Sequence, residues 1–78
     1  MAQDKGCLLI KLQHGVVGMP DRLLVRPDGS CLFIEFKRPS GNLTKIQAYW
    51  VARLQNMGQG VEVIRSAGHF YRLLTLTT

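Results

Sequence analysis

The chain has 78 residues, 46% hydrophobic and 19% charged, which fits one folded domain over 1–78 and excludes a disordered tail. Ten Lys and Arg against five Asp and Glu give a net charge of +5, a surplus that suits a polyanion partner such as nucleic acid and is spread along the chain rather than gathered in a tail. No apolar run approaches the ~18 residues that cross a membrane, and Met1 to Gly6 lack the basic and apolar regions of a signal peptide, so a cytoplasmic protein is expected.

In chain order, CLLIKL (Cys7–Leu12) reads as a strand. QHGVVGMPD follows as a loop, with glycines at 15 and 18 and Pro20. RLLVR (Arg22–Arg26) is a second strand, PDG at 27–29 a turn, and CLFIEFK (Cys31–Lys37) a third strand rich in aromatic and β-branched residues. After the loop RPSGN comes a helix over Thr44–Met57, with an apolar stripe of Ile46, Trp50, Leu54 and Met57. Thr44 is its N-cap, and Gln47 completes a capping box. VEVIR (Val61–Arg65) is a fourth strand, placed to run parallel to the third through a crossover. The tail, Ala67–Leu76, is compatible with a strand, but Ser66 as a cap and Phe70, Leu73 and Leu74 on one side favour a helix. The order β-β-β-α-β-α predicts an α/β fold, a small mixed sheet with flanking helices. Cys7 and Cys31 form no Cys-x-x-Cys or Cys/His cluster, so two buried thiols are expected rather than a zinc site or a disulfide.

The turn sets the chemistry of the hairpin. A Pro-Asp-Gly loop with a left-handed glycine makes 27–29 the connection and sets Arg26 against Ser30. Counting back, Asp21 falls opposite Glu35, and Lys37 projects from the same face two residues on. Like charges directly opposed are destabilising, so two carboxylates there need shared protonation or a divalent cation. Oxygen donors suit magnesium or manganese, and a lysine beside them can stabilise charge developing on a phosphate. Asp21, Glu35 and Lys37 are therefore candidate catalytic residues for phosphodiester hydrolysis. A solvated strand face carrying a Glu–Lys ion pair is the plainer reading.

Several other residues are candidate nucleic-acid contacts: Lys11, His14 in the glycine-rich loop, Arg22, Arg38, and Lys45 in the first helical turn. A lysine at a helix N-terminus opposes the dipole, which a phosphate contact would explain. Val16, Val17 and Met19 are apolar in a loop and suit burial by a second subunit.

The stretch GMPDR (Gly18–Arg22), IEFK (Ile34–Lys37), LTKIQAYW with Gln47, and the closing GQGVEVIRS, in that order, resemble the VRR-NUC (virus-type replication-repair nuclease) family of the PD-(D/E)xK nuclease superfamily. The likeness covers roughly residues 9–66. It implies a restriction-endonuclease-like core and a nuclease dependent on magnesium or manganese. Asp21, Glu35 and the backbone carbonyl of Phe36 would bind the metal, with Lys37 catalytic and Gln47 assisting in the site. Stand-alone phage members, which this chain resembles in size, imply branched DNA such as four-way (Holliday) junctions, cut by a homodimer in the host cytoplasm. Many members also carry an acidic residue on an N-terminal helix. Here Asp4 is the sole acid before the first strand, so fewer metal ligands are expected. The alternatives are a non-catalytic basic nucleic-acid-binding module and an interaction protein that dimerises through its sheet edge.

Overall fold

A computed structural model describes residues 6–75. Strands β1 (Leu8–Lys11), β2 (Arg22–Val25) and β3 (Cys31–Phe36) lead into helix α1 (Lys45–Asn56), then β4 (Val61–Ile64) and helix α2 (Ala67–Thr75). The four strands form one sheet in the order β1-β2-β3-β4, the first two pairings antiparallel and β3–β4 parallel. The expected order of elements is the observed one, and the mixed sheet follows from a hairpin connection on one side and a helical crossover on the other. Among the described residues, no helix is long and apolar enough to cross a membrane.

The β2–β3 turn has the expected form. The Arg26 amide donates to the Ser30 carbonyl at 2.9 Å and the Gly29 amide to the Arg26 carbonyl at 2.9 Å. Gly29 has φ 89°, a conformation that a side chain disfavours. Asp28 locks the turn by accepting from the Ser30 amide at 2.9 Å and its hydroxyl at 2.6 Å. From this anchor the register runs Val25↔Cys31, Leu24↔Leu32, Leu23↔Phe33 and Arg22↔Ile34.

Alternation along the strands sends successive side chains to opposite faces. One face carries Leu24, Ile34 and Ile64, which cluster with Cys7 and with Phe70, Leu73 and Leu74 of α2. This is the core. The ring of Phe36, on the same face, meets that of Phe70 edge-on at 5.5 Å. Helix α2 is capped by Ser66, whose hydroxyl accepts from the His69 amide at 3.1 Å. Its predicted last residue, Leu76, lies outside the described residues. The other face carries Phe33, Glu35 and Val63, and α1 stands over it, as the contact between Gln47 and Glu35 shows.

The cover over α1 is incomplete, and one expectation, that of two buried thiols, is corrected. The stripe on α1 is only partly covered: Leu54 is buried, but Ile46 is 44% and Met57 67% exposed, because Ile46 lies in the first turn and Met57 caps the last. Of the two cysteines, both free, Cys7 is buried but Cys31 is exposed, since it begins β3 beside the exposed turn at 27–29.

Candidate metal and nucleic-acid site

One step past the last β2–β3 pair, Arg22↔Ile34, the register sets Asp21 opposite Glu35. The bond from Arg26 to Ser30 makes the even-numbered β2 residues the hydrogen-bonded partners of β3. Continued one step beyond Arg22↔Ile34, the same register would make Asp21 and Glu35 a non-hydrogen-bonded pair, the closer kind. Asp21 is tied from its other side, its carbonyl accepting from the Leu12 amide at 2.7 Å. Glu35 is half-buried. Its burial pushes the carboxyl above the ordinary glutamate value; Lys37 opposes that shift, Asp21 adds to it, and Arg22 opposes it. Glu35 thus senses Asp21 and both cations. No third acidic, His or Cys side chain joins them in a cluster among the described residues. Asp4 lies outside those residues.

The ladder also bears on Phe36. The paired register ends at Arg22↔Ile34, and carrying it two residues further, from Pro20 to the Phe36 carbonyl, would need an N–H on Pro20. Proline has none. The Phe36 carbonyl, next to Glu35 in the chain, therefore receives no backbone N–H from Pro20. Two carboxylates and a carbonyl without that donor form an all-oxygen set, which fits a hard divalent cation with water completing the shell.

Lys37 follows at the end of β3, its amide donating to the Ile64 carbonyl at 2.8 Å. The parallel register, Glu35↔Val63 and Phe36↔Ile64, sets Arg65 beside it. Arg65 was not among the sequence candidates. Its Nε donates to the Gly41 carbonyl at 2.8 Å and so holds the loop that carries Arg38. The signal was present in VEVIR, where Arg65 shares the parity of Val61 and Val63, but no periodicity reveals the loop it clasps.

Gln47 has two roles at once. Its amide N–H donates to the Thr44 hydroxyl at 3.2 Å, and its side-chain oxygen accepts from the Thr44 amide at 2.9 Å, completing the capping box. The remaining end of the same side chain, Nε2, donates to Glu35 Oε2 at 3.4 Å. The cap therefore aims the amide at the carboxylate. Gly18 explains how the 12–21 loop approaches α1. Its φ is 84°, and a Cβ there would lie 2.7 Å from Ile46 Cγ1 and 3.1 Å from the Ile46 carbonyl carbon. Only glycine lets this loop rest on the first helical turn.

His14 closes that loop. Nδ1 accepts from the Val16 amide at 2.9 Å, so Nε2 carries the proton and donates to the Pro20 carbonyl at 3.3 Å. Both ring nitrogens are engaged with backbone next to Asp21. Lys11, Arg38 and Lys45 are exposed. Lys11 is paired with Arg22 across β1–β2, which puts it on the α2 face of the sheet, not with the carboxylates. Arg22 belongs to that face by register but turns its guanidinium to Asp21, Nη1 to Oδ1 at 2.9 Å.

A family model for the VRR-NUC domain matches residues 1–68. The chain belongs to the VRR-NUC family. A solved structure titled VRR_NUC domain is similar over 99% of this chain and 85% of its own, with a TM-score of 0.83 and 26% sequence identity. No curated protein matches the sequence. This VRR-NUC domain is thus a nuclease-type domain, and its mixed sheet with two helices agrees with a PD-(D/E)xK-like core.

Proposed function

We propose that this VRR-NUC domain is a magnesium- or manganese-dependent endonuclease that hydrolyses phosphodiester bonds in branched DNA, four-way junctions among them. The observation that carries the reading is the Asp21–Glu35 opposition, set by the turn at 27–29 and followed by Lys37 on the same face. A carboxylate pair like this is poorly placed for stability alone. Asp21, Glu35 and the Phe36 carbonyl would hold the cation. When bound, such an ion acidifies water and offsets charge on a phosphate oxygen. Lys37 supplies a fixed positive charge where a phosphate would sit, and Gln47 orients Glu35. Arg22, Arg38 and Lys45 are candidate contacts along the DNA backbone, whereas Lys11 faces the other side of the sheet and both ring nitrogens of His14 are held by the backbone. The preference for branched DNA rests on likeness to phage members of the family.

A homodimer is part of the proposal. Leu8 is 51%, Ile10 41% and Val17 79% exposed. The first two project from the edge strand β1 on the α1 face, so an apolar patch lies open at the sheet edge. Covering it with a second copy would stabilise a small core.

With manganese, the protein should nick a synthetic four-way junction. Asp21→Ala and Glu35→Ala should each lower the rate more than ~100-fold, beyond the ~10–100-fold typical of losing a ligand's supporting partner, with the far-ultraviolet circular dichroism unchanged. Undiminished cutting by Asp21→Ala would overturn the site. Salt-sensitive binding without cleavage in any divalent metal would leave a non-catalytic nucleic-acid-binding module.

A further inference from the structure

Arg22 occupies an unusual position. Register places it on the α2 face, directly across from Lys11, and like charges so opposed repel. Its guanidinium leaves that face for its neighbour's carboxylate. Nη1 contacts Asp21 Oδ1 at 2.9 Å and also approaches the Asp21 carbonyl at 3.5 Å. Arg22 also acts electrostatically on Glu35. The local charge therefore balances: Asp21 and Glu35 contribute two negative charges, Arg22 and Lys37 two positive ones. A divalent cation entering between the carboxylates would upset that balance and would sit close to a fixed positive group.

We infer that Arg22 is the resident counter-ion of Asp21, displaced when a divalent cation enters, and that the released guanidinium then takes a DNA phosphate. The inference rests on the proposed metal site and extends it by a coupling. The side chain is free enough to move, being 30% exposed, and Asp21 is 52% exposed. A guanidinium matches a phosphate with two parallel N–H donors, so release from one anion prepares it for another. Metal and DNA would each raise the affinity for the other, because such linkage is reciprocal. Lys11, facing Arg22 across the strand pair, adds repulsion that favours departure toward an incoming phosphate.

The test begins with manganese alone, without DNA, titrated calorimetrically into the full chain. Arg22→Gln should bind manganese roughly two- to fivefold more tightly than wild type, the span expected from removing a partly exposed ion pair that competes for a ligand. With calcium in place of manganese to limit cutting, junction affinity should rise on metal addition in wild type and rise less in Arg22→Gln. Asp21→Asn is the control for the site itself. If Asp21→Asn leaves manganese binding intact, the metal site is wrong and this inference falls with it. If Asp21→Asn weakens binding but Arg22→Gln binds manganese no more tightly than wild type, the site stands and the counter-ion role is overturned. Should Arg22→Gln fail to fold, Arg22→Met keeps the aliphatic stem on the sheet and is held to the same outcomes.

Discussion

The two faces of the sheet are built to different rules. On one, α2 presses Phe70, Leu73 and Leu74 onto Leu24, Ile34 and Ile64, and these six side chains are sealed from water, while Phe36 at the margin stays half-open to it. On the other, α1 buries only Leu54 and leaves Ile46, Tyr49 and Met57 exposed. What α1 contributes is placement: a capped first turn, a glycine-tight contact with the 12–21 loop, and Gln47 pointed at Glu35. Cohesion and chemistry are thus divided between the faces. Glu35 and Phe36, adjacent in sequence, face opposite ways, one toward the charged site and one toward the core.

Substitutions can break this division or sharpen it. The largest stability loss should come from the α2 face. Leu74→Ala removes a side chain only 1% exposed and should cost about 2–5 kcal/mol, read by denaturant unfolding. In a chain this small, that can unfold the domain. A loss under ~1 kcal/mol would mean that α2 is not the principal source of cohesion.

Gly18→Ala should come next, and it should touch both stability and function. The new methyl meets the branched Ile46 side chain and its backbone at a left-handed φ, a strain of about 1–3 kcal/mol. The loop that delivers Pro20 and Asp21 must then shift away from α1. Thermal unfolding and manganese affinity should fall together, whereas a conservative core change such as Ile64→Val should lower stability alone.

The smallest effect should have the opposite sign. Burial and Asp21 hold the Glu35 carboxyl above its ordinary value, so the folded chain binds its proton more tightly than the unfolded chain does. Stability linked to Glu35 should therefore fall as pH rises from the unfolded value through the raised folded one, and recover on acidification. Glu35→Gln should raise the melting temperature slightly at neutral pH and flatten that pH dependence, while abolishing metal binding. A lower melting temperature would show that Glu35 supports the fold instead of burdening it.

Much of the frame was legible beforehand. Short strands bounded by Pro-Asp-Gly and by Gly-x-Pro, and a helix with Thr44 and Gln47 three apart, are local signals, and local signals hold when no distant contact competes. The register down to Arg22↔Ile34, one step short of Asp21 and Glu35, was likewise legible, because a tight turn transmits register down a hairpin. The incomplete cover of α1 was not legible, since amphipathic spacing says which side is apolar but not how far a partner extends over it. Arg65 and its hold on Gly41, the closure of the loop by His14, and the turn of Arg22 toward Asp21 also escaped the sequence reading. Each joins a side chain to backbone or charge whose position depends on loop path.

The sequence by itself determined the elements, their order, the hairpin register and, through four motifs in succession, the family. Tertiary structure decided what the charged residues meet. It turned one capping glutamine onto a carboxylate and drew an arginine off its own face to an aspartate. The physical reason is range. Turn and cap preferences are settled within a few residues, whereas a charge responds to everything within several ångströms, and only the folded chain brings those groups together.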